Sequence, residues 1–168
     1  MKLRKLAHKD IPLMLEWMRD PDINRFFQFN AGAATEDTVK AFVEQSFSEA
    51  ARHYACADEA DEYLGTVSLK GIDAKHRHAE YATSFRKSAM GSGAAAFATQ
   101  EILRIAFDEL GLERVFLNVM SSNPRAIRFY EKMGFIREGE FLNHLCINGS
   151  FQSLCWYRML RSEFDERR

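Results

Sequence analysis

The sequence has almost no excess of charge of either sign: 23 basic and 24 acidic side chains give a formal net charge of -1. Nonspecific nucleic-acid binding needs a broad positive field, so nucleic acid is not an expected partner. No apolar run approaches the roughly 18 residues of a membrane span, and we expect no membrane partner. The opening Met1-Lys2-Leu3-Arg4-Lys5 lacks the apolar stretch of a signal peptide. These absences predict a cytoplasmic protein.

Cysteine is also scarce, with three residues at Cys56, Cys146 and Cys155. They are odd in number, show no C-x-x-C spacing, and lie in apolar, strand-like segments without a nearby histidine pair. This pattern predicts buried thiols and argues against a disulfide, a zinc site or a cysteine nucleophile. We expect no metal.

What the sequence does have is apolar content, 46% hydrophobic and 12% aromatic over 168 residues, which is enough to bury a core. No repeat, low-complexity tract or linker interrupts it. We therefore expect one domain spanning residues 1–168.

The first 50 residues predict one strand and two helices. Asp10 is placed to cap a helix that ends near Arg19, and Thr35 to cap a second whose apolar face runs on to Phe47 and Ala50. The aromatic stretch between them, 22–30, reads as a loop. Lys2 to Leu6 alternates as a strand does.

From His53 the apolar period becomes two, which predicts strands. A helical period returns after the glycines at 91 and 93, and an Asn-Gly pair at 148–149 marks a hairpin. The predicted segments are strands Tyr54–Ala57, Tyr63–Ile72 and Ala79–Phe85, a helix Ala94–Gly111, a strand Arg114–Met120, a helix from Pro124 to Gly134 capped by Asn123, strands Phe135–Ile147 and Phe151–Leu160, and a polar tail Arg161–Arg168.

The turn between the strand ending at Phe85 and the following helix is rich in small residues, Met90-Gly91-Ser92-Gly93-Ala94-Ala95. Glycines let the backbone approach a ligand, and the first amides of a helix have no partner inside it. Strand, small-residue turn and helix is therefore a phosphate-binding arrangement.

Two segments in this order resemble the GNAT superfamily of acetyl-CoA dependent N-acetyltransferases, over essentially the whole chain. Asn123 to Phe135 matches the family's N-x-x-A-x-x-x-Y-x-x-x-G-F signature fully. The pyrophosphate motif R/Q-x-x-G-x-G/A is matched at Gly93 and Ala95, but Met90 stands at its first position.

The resemblance implies an α+β sandwich with a mixed, mostly antiparallel sheet of about seven strands and about four helices. Its order would be β-α-α-β-β-β-α-β-α-β-β, with strands 4 and 5 parallel and splayed apart. Acetyl-CoA would bind between these strands as co-substrate. The implied cofactor-binding residues are Thr83, Ser84, Phe85, Met90, Gly91, Ser92, Gly93, Ala94, Ala95, Asn123, Arg125 and Tyr130, and Arg86 or Lys87 could add charge.

The chemistry implied is attack of a neutral amine on a thioester. Tyr130 is the candidate general acid, because a phenol with a reference pKa of about 10 stays protonated at neutral pH while the leaving thiolate has a reference near 8.5. Glu80 is the candidate base, ahead of His76, His78 and His144.

In this family the acceptor cleft lies between the first two helices with their connection and the last hairpin. The candidate substrate-binding residues are Trp17, Arg19, Asn24, Phe27, Glu80 and His144, with Arg25, Phe26, Phe29, Asn143 and Phe151 nearby. Aromatic faces and arginines suit a sugar or base beside a phosphate. The segment Trp17 to Ile23 also resembles the opening of amino-sugar acetyltransferases, so a nucleotide amino-sugar is the expected acceptor.

Three alternatives stay open or are rejected on sequence. A ribosomal-protein or peptide N-terminal acetyltransferase and a non-catalytic acyl-CoA binding module both remain. A dinucleotide site at Gly91-x-Gly93-x-x-Ala96 is rejected, since Glu113 precedes the next strand instead of ending it and a hairpin follows. The chain is expected to act on a small amine as a monomer or homodimer.

Overall fold

The fold is built around a seven-stranded sheet with the strand order β1-β2-β3-β4-β5-β7-β6. The computed structural model describes residues 1–167. The strands are β1 Lys2–Lys5, β2 Ala51–Ala57, β3 Tyr63–Asp73, β4 His78–Phe85, β5 Arg114–Met120, β6 Ile136–Ile147 and β7 Ser150–Leu160. Neighbouring strands are antiparallel except β4 and β5, which are parallel. The mixed sheet expected from the sequence is confirmed.

Six α-helices lie within residues 1–167: α1 Ile11–Arg19, α2 Pro21–Asn24, α3 Glu36–Glu44, α4 Ala94–Arg104, α5 Pro124–Met133 and α6 Arg161–Asp165. Helices α4 and α5 pack on one face of the sheet, where Ala98 and Ile102 are fully buried. Helices α1 and α3 pack on the other face of β2 and β3, around Met14 and Val39. Helices α1 and α3 therefore cover the part of this second face that is formed by β2 and β3.

The parallel pair β4–β5 separates along its length. Ladder pairing covers only His78–Glu80 against Arg114–Phe116, whereas β4 continues to Phe85 and β5 to Met120. A helical crossover such as α4 is the connection that parallel neighbouring strands need. Beyond Glu80 their facing edges are no longer hydrogen-bonded to each other, and a gap opens at their carboxyl ends.

The prediction for α3 was right at its start and wrong at its end. Thr35 Oγ1 accepts a hydrogen bond of 3.3 Å from the Thr38 amide, as the capping pattern predicted. The helix ends at Glu44, so Phe47 and Ala50 are not part of it. Phe47 instead pairs with Arg52 as an isolated bridge, and its ring packs 4.9 Å from that of Tyr54.

Other helix boundaries also differ from those predicted from the sequence. The α-helix after the glycines ends at Arg104 and continues as a π-helical turn, Ile105–Glu109, instead of running to Gly111. Helix α2 was expected to be loop; it forms because Pro21 occupies its first turn and Asp20 accepts from the Asp22 amide at 2.9 Å. Helix α6 was missed, and Arg168 of the predicted tail lies outside the described residues.

Asp10 is the N-cap residue of α1 as predicted, but its side chain makes no capping hydrogen bond to the helix. Its carboxylate is buried and receives the Arg4 guanidinium at 2.7 and 2.8 Å, together with the Ala7 amide at 2.9 Å. Burial of a carboxylate is tolerated because every oxygen is hydrogen-bonded to a charged or backbone donor. Asp10 therefore ties β1 to α1.

The turn between β6 and β7 is a tight hairpin, as expected. Asn148 and Gly149 both have positive φ, 50° and 77°, which confirms this prediction.

The cysteines differ in their exposure. Cys56 and Cys155 are buried as expected, but Cys146 is exposed. The expectation for Cys146 was wrong because β6 lies at the sheet edge and leaves much of that strand open to solvent. No helix within residues 1–167 is long and apolar enough to cross a membrane.

Candidate active site

The small-residue turn forms the entrance to α4 in a left-handed backbone conformation. Gly91 and Gly93 have φ of 83° and 86°, and Gly93 is the N-cap of α4. Ser92 Oγ donates to the Ala89 carbonyl at 2.7 Å and accepts from the Ala94 amide at 3.3 Å. The intrahelical ladder begins with the Phe97 amide, and the amides of Ser92 and Ala94 are hydrogen-bonded within the turn. The other amides between Gly91 and Ala96 can face a ligand with the positive end of the helix dipole.

Backbone conformation, and not space, is what requires glycine at these two positions. A Cβ built on Gly91 or Gly93 meets no atom within 4 Å. The positive φ is the constraint, since other L-residues pay about 1–2 kcal/mol in that region. The turn thus holds backbone amides in front of α4 with open space before them, as a pyrophosphate requires.

The basic side chains near this turn have different partners. Arg86 lies against Glu16 and Glu62 with 11% of its side chain exposed, and Lys87 pairs with Asp22. Both were considered as phosphate ligands on sequence; their acidic partners give them a structural role instead. Arg125 of α5 contacts the turn itself through Met90.

The gap between β4 and β5 offers backbone groups to a second, extended part of a ligand. Residues Thr83 to Phe85 pair with β3 along one edge of β4, and the other edge faces the gap. Such an edge can pair with the amides of an inserted chain as a strand would. Asn123 begins α5 at the far end of β5, and its Oδ1 accepts from the Ala126 amide at 3.2 Å, which confirms the capping role; its contact with the ligand remains a prediction.

Tyr130 lies on α5 on the α4 side of the sheet. Its ring packs against Tyr81 at 6.1 Å, Phe129 at 5.5 Å and Phe135 at 6.0 Å. Burial, with a smaller contribution from Tyr81, raises the pKa of Tyr130 well above its usual value. The hydroxyl is thus protonated at neutral pH, and no residue in 1–167 accepts its hydrogen bond.

Glu80 points to the opposite face of the sheet, because successive residues of a strand alternate and Tyr81 faces Tyr130. Its Oε1 accepts from Lys70 Nζ at 3.0 Å, and 31% of the side chain is exposed. Glu80 is also the last β4 residue paired with β5. The candidate base and candidate acid therefore lie on opposite sides of the sheet, at the point where the strands separate.

An open cleft of about 490 Å³ lies between the loop after α2, the start of α5 and the last hairpin. The Arg25 guanidinium lies over the Phe26 ring at 4.7 Å. Gln28 of the same loop donates to Asn118 of β5. The cleft is lined by Arg25, Phe26, Met120, Ser122, Pro124, Ile147 and Gln152. Of these, only Arg25 and Phe26 were candidates on sequence.

A row of rings continues along the same face from β5 across β7 to β6. Phe116 lies 6.0 Å from Trp156, Trp156 lies 5.3 Å from Phe141, and Phe141 lies 5.2 Å from His144. Sequence reasoning missed Phe116 and Trp156. The alternation of β5 and β7 was visible, but which face would remain uncovered by a helix was not.

Four of the predicted substrate residues have other roles. Trp17 is 4% exposed and its Nε1 donates to the Tyr63 hydroxyl at 2.9 Å, so it is a core residue. Phe27 packs on Trp17 at 5.4 Å, and Asn24 Nδ2 donates to the Met18 carbonyl at 2.9 Å, which secures the end of α1. Arg19 donates to the Ala34 carbonyl at 3.2 Å, outside the cleft.

His144 and Glu80, the other two predicted substrate residues, lie on the face of the sheet that carries this row of rings: Glu80 is opposite Phe116 in the β4–β5 ladder, and His144 contacts Phe141. No cluster of three His, Cys, Asp or Glu side chains suited to a metal occurs within residues 1–167.

Comparison with known proteins agrees with this arrangement. Residues 1–136 match the model of the acetyltransferase (GNAT) domain. The chain belongs to the GNAT acetyltransferase family. A crystal structure of spermidine N-acetyltransferase from Vibrio cholerae, in complex with CoA and spermine, superposes with a TM-score of 0.88 at 25% identity, covering 97% of this chain and 96% of the other.

Curated GNAT relatives carry more than one activity in their names. The spermidine N(1)-acetyltransferase of V. cholerae is 25% identical over 165 residues, covering 98% of this chain and 95% of the relative. A putative ribosomal N-acetyltransferase of Bacillus subtilis is 31% identical over 101 residues, 60% of this chain and 55% of the relative. This GNAT chain is accordingly an acetyl-CoA dependent N-acetyltransferase that acts on a primary amine, and its glycine turn, open strand edges and Tyr130 fit the cofactor.

Proposed function

We propose that the chain transfers the acetyl group of acetyl-CoA directly to a primary amine of a small molecule, with Tyr130 as general acid and Glu80 as base. The observation that carries this proposal is the placement of these two side chains on opposite faces of the sheet where β4 and β5 separate. A thioester in the gap would be reached by the amine from the Glu80 side. Tyr130 would approach the sulfur from the other.

The proposed role of Glu80 is to remove a proton from the acceptor amine. An alkylammonium with a pKa near 10 is almost wholly charged at neutral pH and cannot attack. A carboxylate within direct or water-mediated reach accepts that proton before the nitrogen lone pair attacks. The second N–H proton leaves nitrogen as the amide forms and passes to solvent, from which Tyr130 regains the proton that it gives to the sulfur. Lys70 occupies one oxygen of Glu80 and fixes its orientation, which leaves the other oxygen for the amine.

Tyr130 acts on the leaving group. Acetyl-CoA supplies the acetyl group as a thioester, and its sulfur leaves with the bonding electrons. Tyr130 donates its hydroxyl hydrogen to that sulfur, which lowers the barrier by stabilising the developing negative charge. The raised pKa of Tyr130 keeps this donor protonated throughout the neutral range.

A linear polyamine is the first candidate acceptor. The spermidine N(1)-acetyltransferases of V. cholerae and Escherichia coli cover 98% and 90% of this chain at 25% and 27% identity. A polyamine carries a primary amine at the end of a flexible apolar chain. The open cleft and the neighbouring row of rings can accommodate such a chain.

An amine attached to an anionic group, such as a nucleotide amino-sugar, is the second candidate. The specific observation in its favour is that the described residues lining the cleft include Arg25 and no acidic side chain. A polycation would gain from carboxylates there, whereas a phosphate gains from a guanidinium and a sugar ring from Phe26.

A thiol-release assay with purified protein and acetyl-CoA separates the two candidates. The amine panel contains polyamines, nucleotide amino-sugars and N-terminal peptides, and mass spectrometry identifies the product. Turnover of polyamines alone supports the first candidate; turnover of nucleotide amino-sugars supports the second. Peptide turnover alone, or acetyl-CoA binding without release for any amine, would refute the proposed function.

The variant Arg25→Ala further distinguishes a phosphate-bearing acceptor from a polyamine. If the acceptor carries a phosphate, its KM rises by about tenfold or more, because a charged hydrogen bond is worth about 1.5–3 kcal/mol. A polyamine KM stays unchanged or falls. Arg19→Ala is the matched control, since it removes an equal charge from the neighbouring helix outside the cleft.

A further inference from the structure

Lys70 brings a primary amine of the chain itself to the candidate base. Its Nζ lies 3.0 Å from Glu80 Oε1, which is within the distance at which a general base takes a proton from its substrate. Lys70 reaches Glu80 from the neighbouring strand, because the two residues are paired in the β3–β4 ladder. A lysine nitrogen therefore has the surroundings that the proposed function assigns to the nitrogen of the acceptor.

The Lys70 nitrogen also lies close to the gap in which the thioester is expected. Glu80 is the last residue of β4 that pairs with β5, and the Lys70 side chain already extends from β3 to β4. One further strand spacing, about 4.8 Å, separates β4 from β5. Both side chains of the ion pair are partly exposed, 42% for Lys70 and 31% for Glu80, and such a pair is weak enough for a flexible lysine to leave it.

The other ion-paired lysines lie away from the candidate base. The remaining lysine–carboxylate pairs within residues 1–167 are formed with Asp61 or Asp22, and neither carboxylate is on β4. Lys87, for example, lies 2.9 Å from Asp22. A modification of the chain that depends on Glu80 should therefore select Lys70.

We propose that Lys70 is a self-acetylation site, which takes the acetyl group of bound acetyl-CoA when no acceptor amine fills the cleft. Glu80 removes a proton from the Lys70 ammonium, and the nitrogen lone pair attacks the carbonyl carbon of the thioester. A C–N bond forms and the C–S bond breaks; the sulfur leaves with the bonding electrons and takes a proton from Tyr130. The second N–H proton passes to solvent, from which Tyr130 is reprotonated. The proposed function supplies the donor, base and acid on which this inference rests.

Acetylation of Lys70 would change the site in which it occurs. An acetylated lysine is neutral and forms no ion pair, so the contact that orients Glu80 would be lost. The chain would then transfer acetyl groups to added amines more slowly after exposure to acetyl-CoA alone.

Incubation of the purified wild-type chain with acetyl-CoA and no added amine tests this proposal. Thiol release should stop once it equals the amount of protein, and mass spectrometry of the digested chain should place the acetyl group on Lys70. Lys87 is the internal control, because it is also exposed and paired with a carboxylate. It should be acetylated at least about 100-fold more slowly than Lys70, since no general base and bound thioester are positioned beside it.

Three variants separate acetylation by the active site from chemical acetylation. Lys70→Arg keeps a cation beside Glu80 but offers a guanidinium that stays protonated, so its thiol release should fall to the background rate. Glu80→Gln and Tyr130→Phe should each slow the modification of Lys70 by at least about 100-fold. Tyr130→Phe mixed with the wild-type chain should remain unmodified, because the transfer takes place within one chain.

Two kinds of failure can be told apart. The proposal is overturned if Lys70 is modified no faster than Lys87, or if Glu80→Gln leaves its rate unchanged. Acetylation of Tyr130→Phe by the wild-type chain would also overturn it, since the transfer would then occur between chains. In each case turnover of added amines would leave the proposed function standing, whereas absence of thiol release with Lys70 and with every amine would refute both.

Discussion

Replacing Tyr130 by phenylalanine removes one oxygen and keeps the ring. The contacts to Tyr81, Phe129 and Phe135 at 5.5 to 6.1 Å are retained. Removing the hydroxyl leaves no group within residues 1–167 without its hydrogen-bond partner. The free energy of unfolding should therefore change by less than about 0.5 kcal/mol. A positioned general acid contributes about 10²- to 10⁴-fold, so kcat should fall by at least about 100-fold.

The assay is steady-state thiol release with the preferred amine, together with calorimetry for CoA and a thermal melt. CoA affinity should stay within about twofold, because the change acts on the transition state and not on ground-state binding. The raised pKa also predicts that the wild-type kcat shows no loss from ionisation of Tyr130 below pH about 10. An unchanged kcat in Tyr130→Phe would reject Tyr130 as the acid.

Tyr157→Phe is the matched control for that variant. The Tyr157 hydroxyl donates to Glu131 at 2.9 Å, and its ring is buried on the same face of the sheet. Losing this bond should destabilise the fold by about 1 kcal/mol while leaving kcat nearly unchanged. If both variants lost activity equally, the effect would be structural.

Three further predictions follow from other residues. Gly93→Glu should weaken CoA by about 100-fold or more in calorimetry, while Gly93→Ala, which carries only the strain of positive φ, should cost less than about tenfold; equal affinities in wild type and Gly93→Glu would refute the turn as the pyrophosphate site. Glu80→Gln should lower kcat/KM by about 100-fold at neutral pH and by less near pH 10, where about half of the amine is already deprotonated. A loss independent of pH would assign Glu80 a structural role. Burial, and then Lys70, lower the pKa of His53 to about 4, so the unfolded state binds the proton more readily and stability should fall as pH drops from about 6.5 to about 4; denaturant melts of His53→Gln should show a shallower fall, and an identical slope would contradict this assignment.

The parts of the fold that sequence could predict are those set by local chemistry. The cap at Thr35, the cap at Asn123 and the turn at Asn148-Gly149 each depend on one or two residues and their own backbone, and all three were found. The parallel pair followed from the single helical crossover, whereas the position of β7 between β5 and β6 in the sheet was not predicted. These features need no knowledge of what packs against them.

Features that depend on distant partners could not be predicted in the same way. Asp10 had the sequence context of a helix cap, yet its carboxylate is bound by Arg4 on β1. Trp17 had the context of a cleft residue, yet Tyr63 and the core around α1 and α3 surround it. Met90 and Arg125 are 35 positions apart, and their contact arises only after α5 docks beside the turn.

A crystal structure of the chain with CoA would test the central claim most directly, through the distance between the pantetheine sulfur and the Tyr130 hydroxyl oxygen. We expect about 3–3.5 Å, allowing for the larger radius of sulfur, with the pantetheine arm lying along the open edges of β4 and β5. A CoA molecule bound with its sulfur more than about 6 Å from Tyr130, beyond any hydrogen bond, or with its arm outside the gap would contradict the account.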